Sequence, residues 1–469
     1  MMHPGDAMKY AVVSVLLLAA LVSTDAGAEE WTGPYLISEG LGGIKPATCK
    51  EWLPGYKTCV VWEYYNGTHW NLVSRSYHYS SGWWGPTPVN GVEEAVNPSL
   101  ASVTPQYGEP EYWCVWERRE DTCGTIHAAT YRLGMWEDEM FVGECTNAGG
   151  DSAWPSVVVI SNGAMEDTVW AAWTNHDSSG WHVSYVYGDL YGGWEPPAIA
   201  VSGLDPIRHA CLGRGHLADT TGCPLLVWEA NGDIFYSEYI DSAWQTPQEV
   251  AHSDSLDRNP DVISYVVEPV ELGPWITWES ARDGDTAVYG TGMDSFSLAQ
   301  RWCGSTGAGN NYMPCGTAAS YPKKGLMDWS AVAWVSDRDG NANVYARTRF
   351  AENEVCLDND TATDVHPAVT TFGSTLHWCF WQSNRGGSWN IWGSMMDATG
   401  IDINDVASEP SISRTTRATV IRSLPQGAVA FDAMGRRVVY PRPGICFVRE
   451  EAQAASPKPQ AVRKVVVTR

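Results

Sequence analysis

A chain of 469 residues exceeds the roughly 250 to 300 residues that one hydrophobic core serves, so either several domains or a repeat architecture must bury its surface. Its 25 Trp and 21 Tyr against 8 Phe, with 45 Gly and 27 Pro, describe short aromatic strands broken by turns; no heptad or long 3.6-residue apolar pattern competes. The net charge of −25 is uneven: before Ser411 nineteen basic residues face fifty-two acidic ones, which repels phosphate backbones and argues against a nucleic-acid partner.

At the start, Lys9 precedes an apolar run from Ala11 to Val22 and the small residues Ala26-Gly27-Ala28, the layout of a secretory signal over residues 1–28, with Met8 as an alternative start. Those twelve apolar residues fall short of the ~20 that cross a bilayer, so an exported mature chain without a transmembrane anchor is expected. Twelve cysteines in such a chain read as disulfides rather than a metal site, there being no CxxC. Cys49 with Cys59, Cys114 with Cys123, and Cys211 with Cys223 sit on the two sides of predicted hairpins, and Cys303 and Cys315 bracket a Gly-rich connection.

From Trp31 to Gly400 a unit of about 53 residues recurs. Its first landmark is a pair ending in Pro that opens an apolar strand: Lys45-Pro46, Asn97-Pro98, Trp154-Pro155, Asp205-Pro206, Asn259-Pro260, Met313-Pro314 and His366-Pro367. The second is a strand ending in Trp62, Trp116, Trp173, Trp228, Trp278, Trp334 or Trp381, followed by turns such as Asn231-Gly232 and Asp339-Gly340 and then a third strand. The third, WxxP, opens an outer strand at Trp31, Trp83, Trp194 and Trp244, with Trp136 in phase and blades five and six lacking it. Four antiparallel strands per unit make a propeller blade. The chain begins on an outer-strand signature and the last unit runs out after its third strand, so the first strand is predicted to complete the last blade. The predicted fold is all-β: a seven-bladed β-propeller of four-stranded blades over 29–405, a linker over 406–418 and a small C-terminal β domain over 419–469.

Ser280-Ala281-Arg282-Asp283-Gly284, Ser336-Asp337-Arg338-Asp339-Gly340 and Ser383-Asn384-Arg385-Gly386-Gly387 give blades five to seven an SxRxG turn. These segments resemble the repeats of TolB-like and secreted bacterial propellers, a likeness of repeat type rather than activity. Phe431-Asp432-Ala433-Met434-Gly435-Arg436-Arg437, Pro443-Gly444-Ile445-Cys446-Phe447 and Arg463-Lys464-Val465-Val466-Val467-Thr468-Arg469 resemble the C-terminal sorting domain of type IX secretion cargo, shortened between Val439 and Pro443. That resemblance implies delivery to the outer surface or the medium by a secretion machine.

No HExxH, GxSxG, P-loop or GxGxxG motif occurs, and the histidines lack ligand spacing. Glu63, Glu117, Glu229 and Glu279 after the strand-two Trp suggest a glycosidase pair, but they recur in register as architectural groups do. The chain resembles sialidases in architecture but lacks their SxDxGxxW turns and Arg-Ile-Pro signature. Asp337, Asp339 and Asn341 offer part of a calcium loop without its remaining ligands, so no cofactor is expected beyond a structural calcium ion. Binding candidates are Trp70, Trp181 and Trp389, beside polar loops, and the recurring Arg282, Arg338 and Arg385. The reading that follows is a monomeric, non-enzymatic binding or scaffolding module for a glycan or surface protein, with a carbohydrate-active enzyme or lectin of sialidase-like architecture as the alternative.

Overall fold

The computed structural model describes 31–397 apart from 51–56, 90, 92–93, 104–110, 120–123, 138, 147–152, 161–166, 192, 204, 216–221, 251, 264–273, 293–299, 302–308, 318–330, 349–353 and 373–375, together with five strands between 419 and 467. The signal over 1–28 and the linker over 406–418 lie outside the described residues. By compactness the chain divides into 1–402 and 403–469.

Seven separate antiparallel sheets follow one another along the first unit. Blade 1 is Ile44–Thr48, Lys57–Tyr65, Trp70–His78 and Gly82–Pro88; blade 2 is Ala95–Val103, Glu111–Arg119, Gly124–Arg132 and Met140–Cys145. Blade 3 is Ser156–Ile160, Thr168–Asp177, Gly180–Asp189 and Ala198–Gly203; blade 4 is Ile207–Arg214, Pro224–Ala230 and Asp233–Ile240 with the short outer pieces Ala243–Trp244 and Gln248–Glu249. Blades 5 and 6 (Asp257–Ile263, Trp275–Ser280, Ala287–Gly292; Asn311–Thr317, Ala331–Ser336, Asn343–Thr348) end in the two-residue strands Gln300–Arg301 and Val355–Cys356, in keeping with their missing WxxP. Blade 7 is Asp364–Phe372, Leu376–Ser383 and Asn390–Asp397, completed by the N-terminal Trp31–Leu36, which pairs Trp31 with Met396 and Leu36 with Trp392. Each blade's innermost strand touches those before and after it, and the first touches the seventh, so the ring is closed and no large sheet edge is left open. The chain is a seven-bladed β-propeller.

The strand-two tryptophans explain why these sheets stack as they do. Trp62, Trp116, Trp173, Trp228, Trp278, Trp334 and Trp381 are all buried. Five of them fill wedges between blades: Trp278 and Trp334 join one apolar cluster drawn from blades 4 to 6, Trp173 another from blades 2 and 3, Trp228 one from blades 3 and 4, and Trp381 one from blades 6 and 7.

The C-terminal unit is a five-stranded sheet in the order Thr419–Ile421, Val462–Val467, Gly444–Glu450, Ala428–Phe431, Arg437–Val438, with its first pair parallel. Among the described residues no helix is long and apolar enough to cross a membrane.

Two sequence expectations need correction. In blade 4 the landmark place in the innermost strand is held by His209-Ala210, not by Asp205-Pro206; Asp205 instead lies before the strand and accepts a hydrogen bond from Asn231 Nδ2 at 2.9 Å. Ala210 takes the place that proline fills in the other six blades, so the Pro landmark misphased by four residues there. The other correction concerns one of the four cysteine pairs, Cys211 with Cys223. Cys211 faces Val227, while Cys223 lies beyond the Arg214–Pro224 pair, opposite Gly215; at about 3.3 Å per residue the two are separated by more than a disulfide spans. The two partners named for Cys114 and Cys315, Cys123 and Cys303, lie outside the described residues.

Candidate functional site

The channel mouth is built from one backbone device repeated seven times. Lys45, Asn97, Trp154, His209, Asn259, Met313 and His366 all adopt left-handed φ between 45° and 54°. In six blades the residue sits in a register shift near the start of the innermost strand, and in blade 3 it precedes the strand. A left-handed conformation costs an L-residue of this size about 1–2 kcal/mol, so something must hold it.

At four of the seven, a strand-two side chain of the preceding blade supplies that hold, a glutamate in three cases and a glutamine in one. Glu63 accepts the Asn97 N–H at 2.8 Å, Glu229 the Asn259 N–H at 3.3 Å, Glu279 the Met313 N–H at 2.6 Å, and Gln382 the Lys45 N–H at 2.7 Å. Glu117 accepts one residue earlier, from the Ala153 N–H at 3.1 Å. Each clamp runs from one blade to the next. Side chains complete the acids' coordination: Asn97 Nδ2 reaches Glu117 at 2.9 Å and Asn259 Nδ2 reaches Glu279 at 2.5 Å, while Lys45, Arg119 and His209 lie 3.2, 3.1 and 3.1 Å from Glu63, Glu117 and Glu229. Burial raises the Glu63 pKa against the pull of Lys45; for Glu229 burial is outweighed by His209 and the Asn259 N–H, and its pKa is lowered. Because the carboxylates are architectural, removing one uncaps a neighbour. Glu279→Ala is expected to cost about 2–3 kcal/mol by stranding the Met313 N–H and Asn259 Nδ2, and Glu279→Gln, which keeps an acceptor oxygen, less than half of that, read from urea midpoints.

A second seam lies two residues deeper. Ser99 Oγ accepts the Val157 N–H at 3.2 Å, Ser156 Oγ the Leu212 N–H at 2.9 Å and Asp261 Oδ2 the Gly316 N–H at 2.8 Å. The Cys211 and Cys315 sulfurs take the Val262 and Val369 N–H in the same way, and burial pushes both thiols up to about 12. Between the two seams stand Pro46, Pro98, Pro155, Ala210, Pro260, Pro314 and Pro367, and the lumen they enclose has a volume of about 300 Å³.

With the backbone tied, the seven mouth side chains are free to differ, and they do. Trp154 is 37% exposed, an indole presented at the lumen in a strained conformation. The Lys45 ammonium lies 5.2 Å over its ring and the His209 ring 5.8 Å away, and Lys45 Nζ also meets Asn97 Oδ1 at 2.8 Å. Across the mouth His366 is held neutral, its pKa lowered to about 4 by burial and by Lys45. A histidine whose folded pKa is depressed binds its proton more readily when unfolded, so its stability contribution is present above about pH 6.5 and is lost as pH falls toward 4. His366→Gln is expected to flatten the fall of the urea midpoint between pH 6.5 and 4 relative to wild type; an identical slope would rule the assignment out.

The residues singled out from sequence lie elsewhere. Trp181 is buried and stacked on His176 with ring centroids 4.4 Å apart; Trp70 is half-buried against Tyr65; Trp389 is 37% exposed. Arg282 bonds Ser280 Oγ and Asp257 and lies 4.7 Å over Tyr289. Arg338 bonds Ser336 Oγ, Asn311 and Glu354 and lies 4.2 Å over Tyr345; Arg385 bonds Ser383 Oγ, contacts Asp358 and Asp364, and lies 4.1 Å over Trp392. The SxRxG arginine is thus a bracket from turn to third strand, repeated three times. Asp337 accepts from Asn310, Asp339 from Tyr345, and Asn341 donates to the Asp360 and Ala362 carbonyls, three separate commitments. Sequence reasoning passed over Trp154 and Lys45 because the Pro landmark marked their positions as strand openings, and over His209 because Ala210, not proline, follows it; nothing in the letters betrays a positive φ.

No protein-family model matches the chain, and no curated protein does. Solved structures similar to it include a Dyadobacter fermentans protein of unknown function (12% identity, 78% of this chain and 98% of that one, TM-score 0.44). A Penicillium chrysogenum α-L-arabinanase complexed with arabinobiose (12%, 79% and 98%, 0.40) and an Aleuria aurantia lectin mutant in complex with Fucα1-6GlcNAc (10%, 68% and 97%, 0.42) are also similar. Nothing of their sites carries over to this chain.

Proposed function

We propose that this chain is an exported, non-enzymatic propeller that binds a glycan at its channel mouth. The observation that carries the reading is the ring itself: seven left-handed backbone positions, four of them clamped through their own N–H by a side chain of the preceding blade, present seven side chains of which Trp154 is exposed and flat-faced. Strain that the surrounding structure pays to maintain points to function, and an exposed indole ringed by amide, imidazole and ammonium groups suits a hydroxylated ring, which stacks by its apolar face and hydrogen-bonds by its rim. The four glutamates favour binding over hydrolysis, since each holds a backbone N–H and a polar or cationic side chain instead of standing ready as acid or nucleophile. A glycan array probed with the full mature chain, scored for retention and cleavage, tests this: retention without cleavage is expected, and cleavage of a retained glycan would establish the glycosidase alternative.

Export rests on the signal-like residues 1–28 and on the C-terminal likeness to type IX cargo. Deleting 463–469, which carries most of the strand Val462–Val467, an interior strand of the C-terminal sheet, should leave the chain inside the producing cell. Undiminished appearance outside would overturn that route.

A further inference from the structure

Among the described residues, Lys50 of blade 1 crosses the lumen below the mouth ring. The Lys50 carbonyl accepts a hydrogen bond from Thr317 Oγ1 of blade 6 at 3.1 Å, and its ammonium pairs with Asp261 of blade 5. Next to it, Cys49 bridges to Leu100 of blade 2. One dipeptide from blade 1 therefore touches three other blades, which it can do only by crossing the lumen. Asp261 is the one acid in its layer, where the other blades place Ala47, Ser99, Ser156, Cys211, Cys315 and Ala368. It is 5% exposed, and its second oxygen is spent on the Gly316 N–H. Burial works against the Lys50 charge, but Asp261 and the neighbouring Cys315 and Cys211 outweigh it and its pKa is raised, so the bar across the lumen stays charged at neutral pH.

The space left is a well, not a tunnel. From Asn259 at the mouth to Asp261 at the bar is two residues, about 6–7 Å of strand. Its volume of about 300 Å³ lies at the small end of ligand pockets, and its wall of six prolines and one alanine is rigid before any ligand arrives. A polymer threaded through the ring, or lying with an internal unit over the axis, cannot fill it.

We propose that the well takes the exposed terminal ring of a neutral glycan end-on, with the Lys50–Asp261 pair as the floor that limits what substituent that ring carries. This rests on the mouth reading above. Neutrality follows from the surroundings: the four glutamates behind the mouth are paired with Lys45, Arg119, Arg258 and His209, and the propeller as a whole carries a large acidic excess that repels anionic sugars.

The test is an array of linear neutral oligosaccharides, the same oligosaccharides with the terminal ring O-methylated, and cyclic oligomers of the same sugars, probed with the full mature chain. Linear ligands are expected to bind, and methylated and cyclic ones at least tenfold more weakly. Lys50→Ala should regain the methylated ligands by deepening the well, and Asp261→Asn, the same size and still an acceptor for Gly316, by unpairing the Lys50 ammonium from its place across the lumen, with thermal melts identifying whichever variant is folded. Equal binding of linear, methylated and cyclic forms by wild type would overturn end-on recognition and leave the mouth reading intact. Absence of binding to every sugar would overturn both, and folded variants that still reject the methylated ligands would remove Lys50 and Asp261 as the floor.

Discussion

Replacing Trp154 with alanine is expected to weaken glycan binding at least ~30-fold while the fold survives. The indole is the large flat surface at the mouth, 37% exposed and flanked by Lys45 and His209, and a central aromatic anchor of this kind typically accounts for about 2 kcal/mol or more of an interface. Its backbone φ of 45° gives a sharper version of the test. Trp154→Gly removes the same surface but also relieves a left-handed conformation that costs a side-chain-bearing residue about 1–2 kcal/mol. That protein should melt no lower than wild type and yet fail to bind, the signature of a residue kept for function at the expense of stability. Binding within threefold of wild type in both variants, measured by titration with an array-positive sugar, would remove Trp154 from the site.

The architecture was legible because its signals are repetitive. Seven Trp-ended strands in constant phase predict seven buried residues, and WxxP at Trp31 followed by a last unit lacking its outer strand predicts the closure of blade 7 by Trp31–Leu36. The site was not legible for the opposite reason. Its shared feature is a backbone angle, and its side chains, from Lys45 to Met313, have no common chemistry to search for. Pro-containing pairs gave six of the seven positions, but blade 4 uses Ala210, which fills the same place without the letter, and Asp205-Pro206 stood nearby to mislead. The cysteines misled differently: hairpin spacing brought Cys211 and Cys223 to one hairpin without bringing them to one register. Cys211 and Cys315 proved to be N–H acceptors in an inter-blade seam, the role serine plays in blades 2 and 3.

Trp278→Ala is expected to destabilise the propeller by about 3–5 kcal/mol, the range for deleting a fully buried large aromatic side chain. The indole lies in the cluster that joins Val227 of blade 4, Val262 and Tyr289 of blade 5, and Val332 and Trp334 of blade 6, with the Arg282 guanidinium 5.5 Å from its ring. Adjacent blades share that wall, so neither can collapse into the cavity without losing contacts on its other side, and little of the loss is recovered by relaxation. Trp84, 56% exposed on the outer strand of blade 1, is the matched control, expected to change stability by no more than about 0.5 kcal/mol. Urea midpoints at constant slope measure both, and a Trp278 effect below about 1 kcal/mol would show that the wedge is not what joins the blades. The two tryptophans then separate fold from site. At temperatures where Trp278→Ala is still folded, its mouth ring remains clamped by Glu279 and Glu229 and its glycan affinity should equal that of wild type, whereas Trp154→Ala should melt like wild type and not bind.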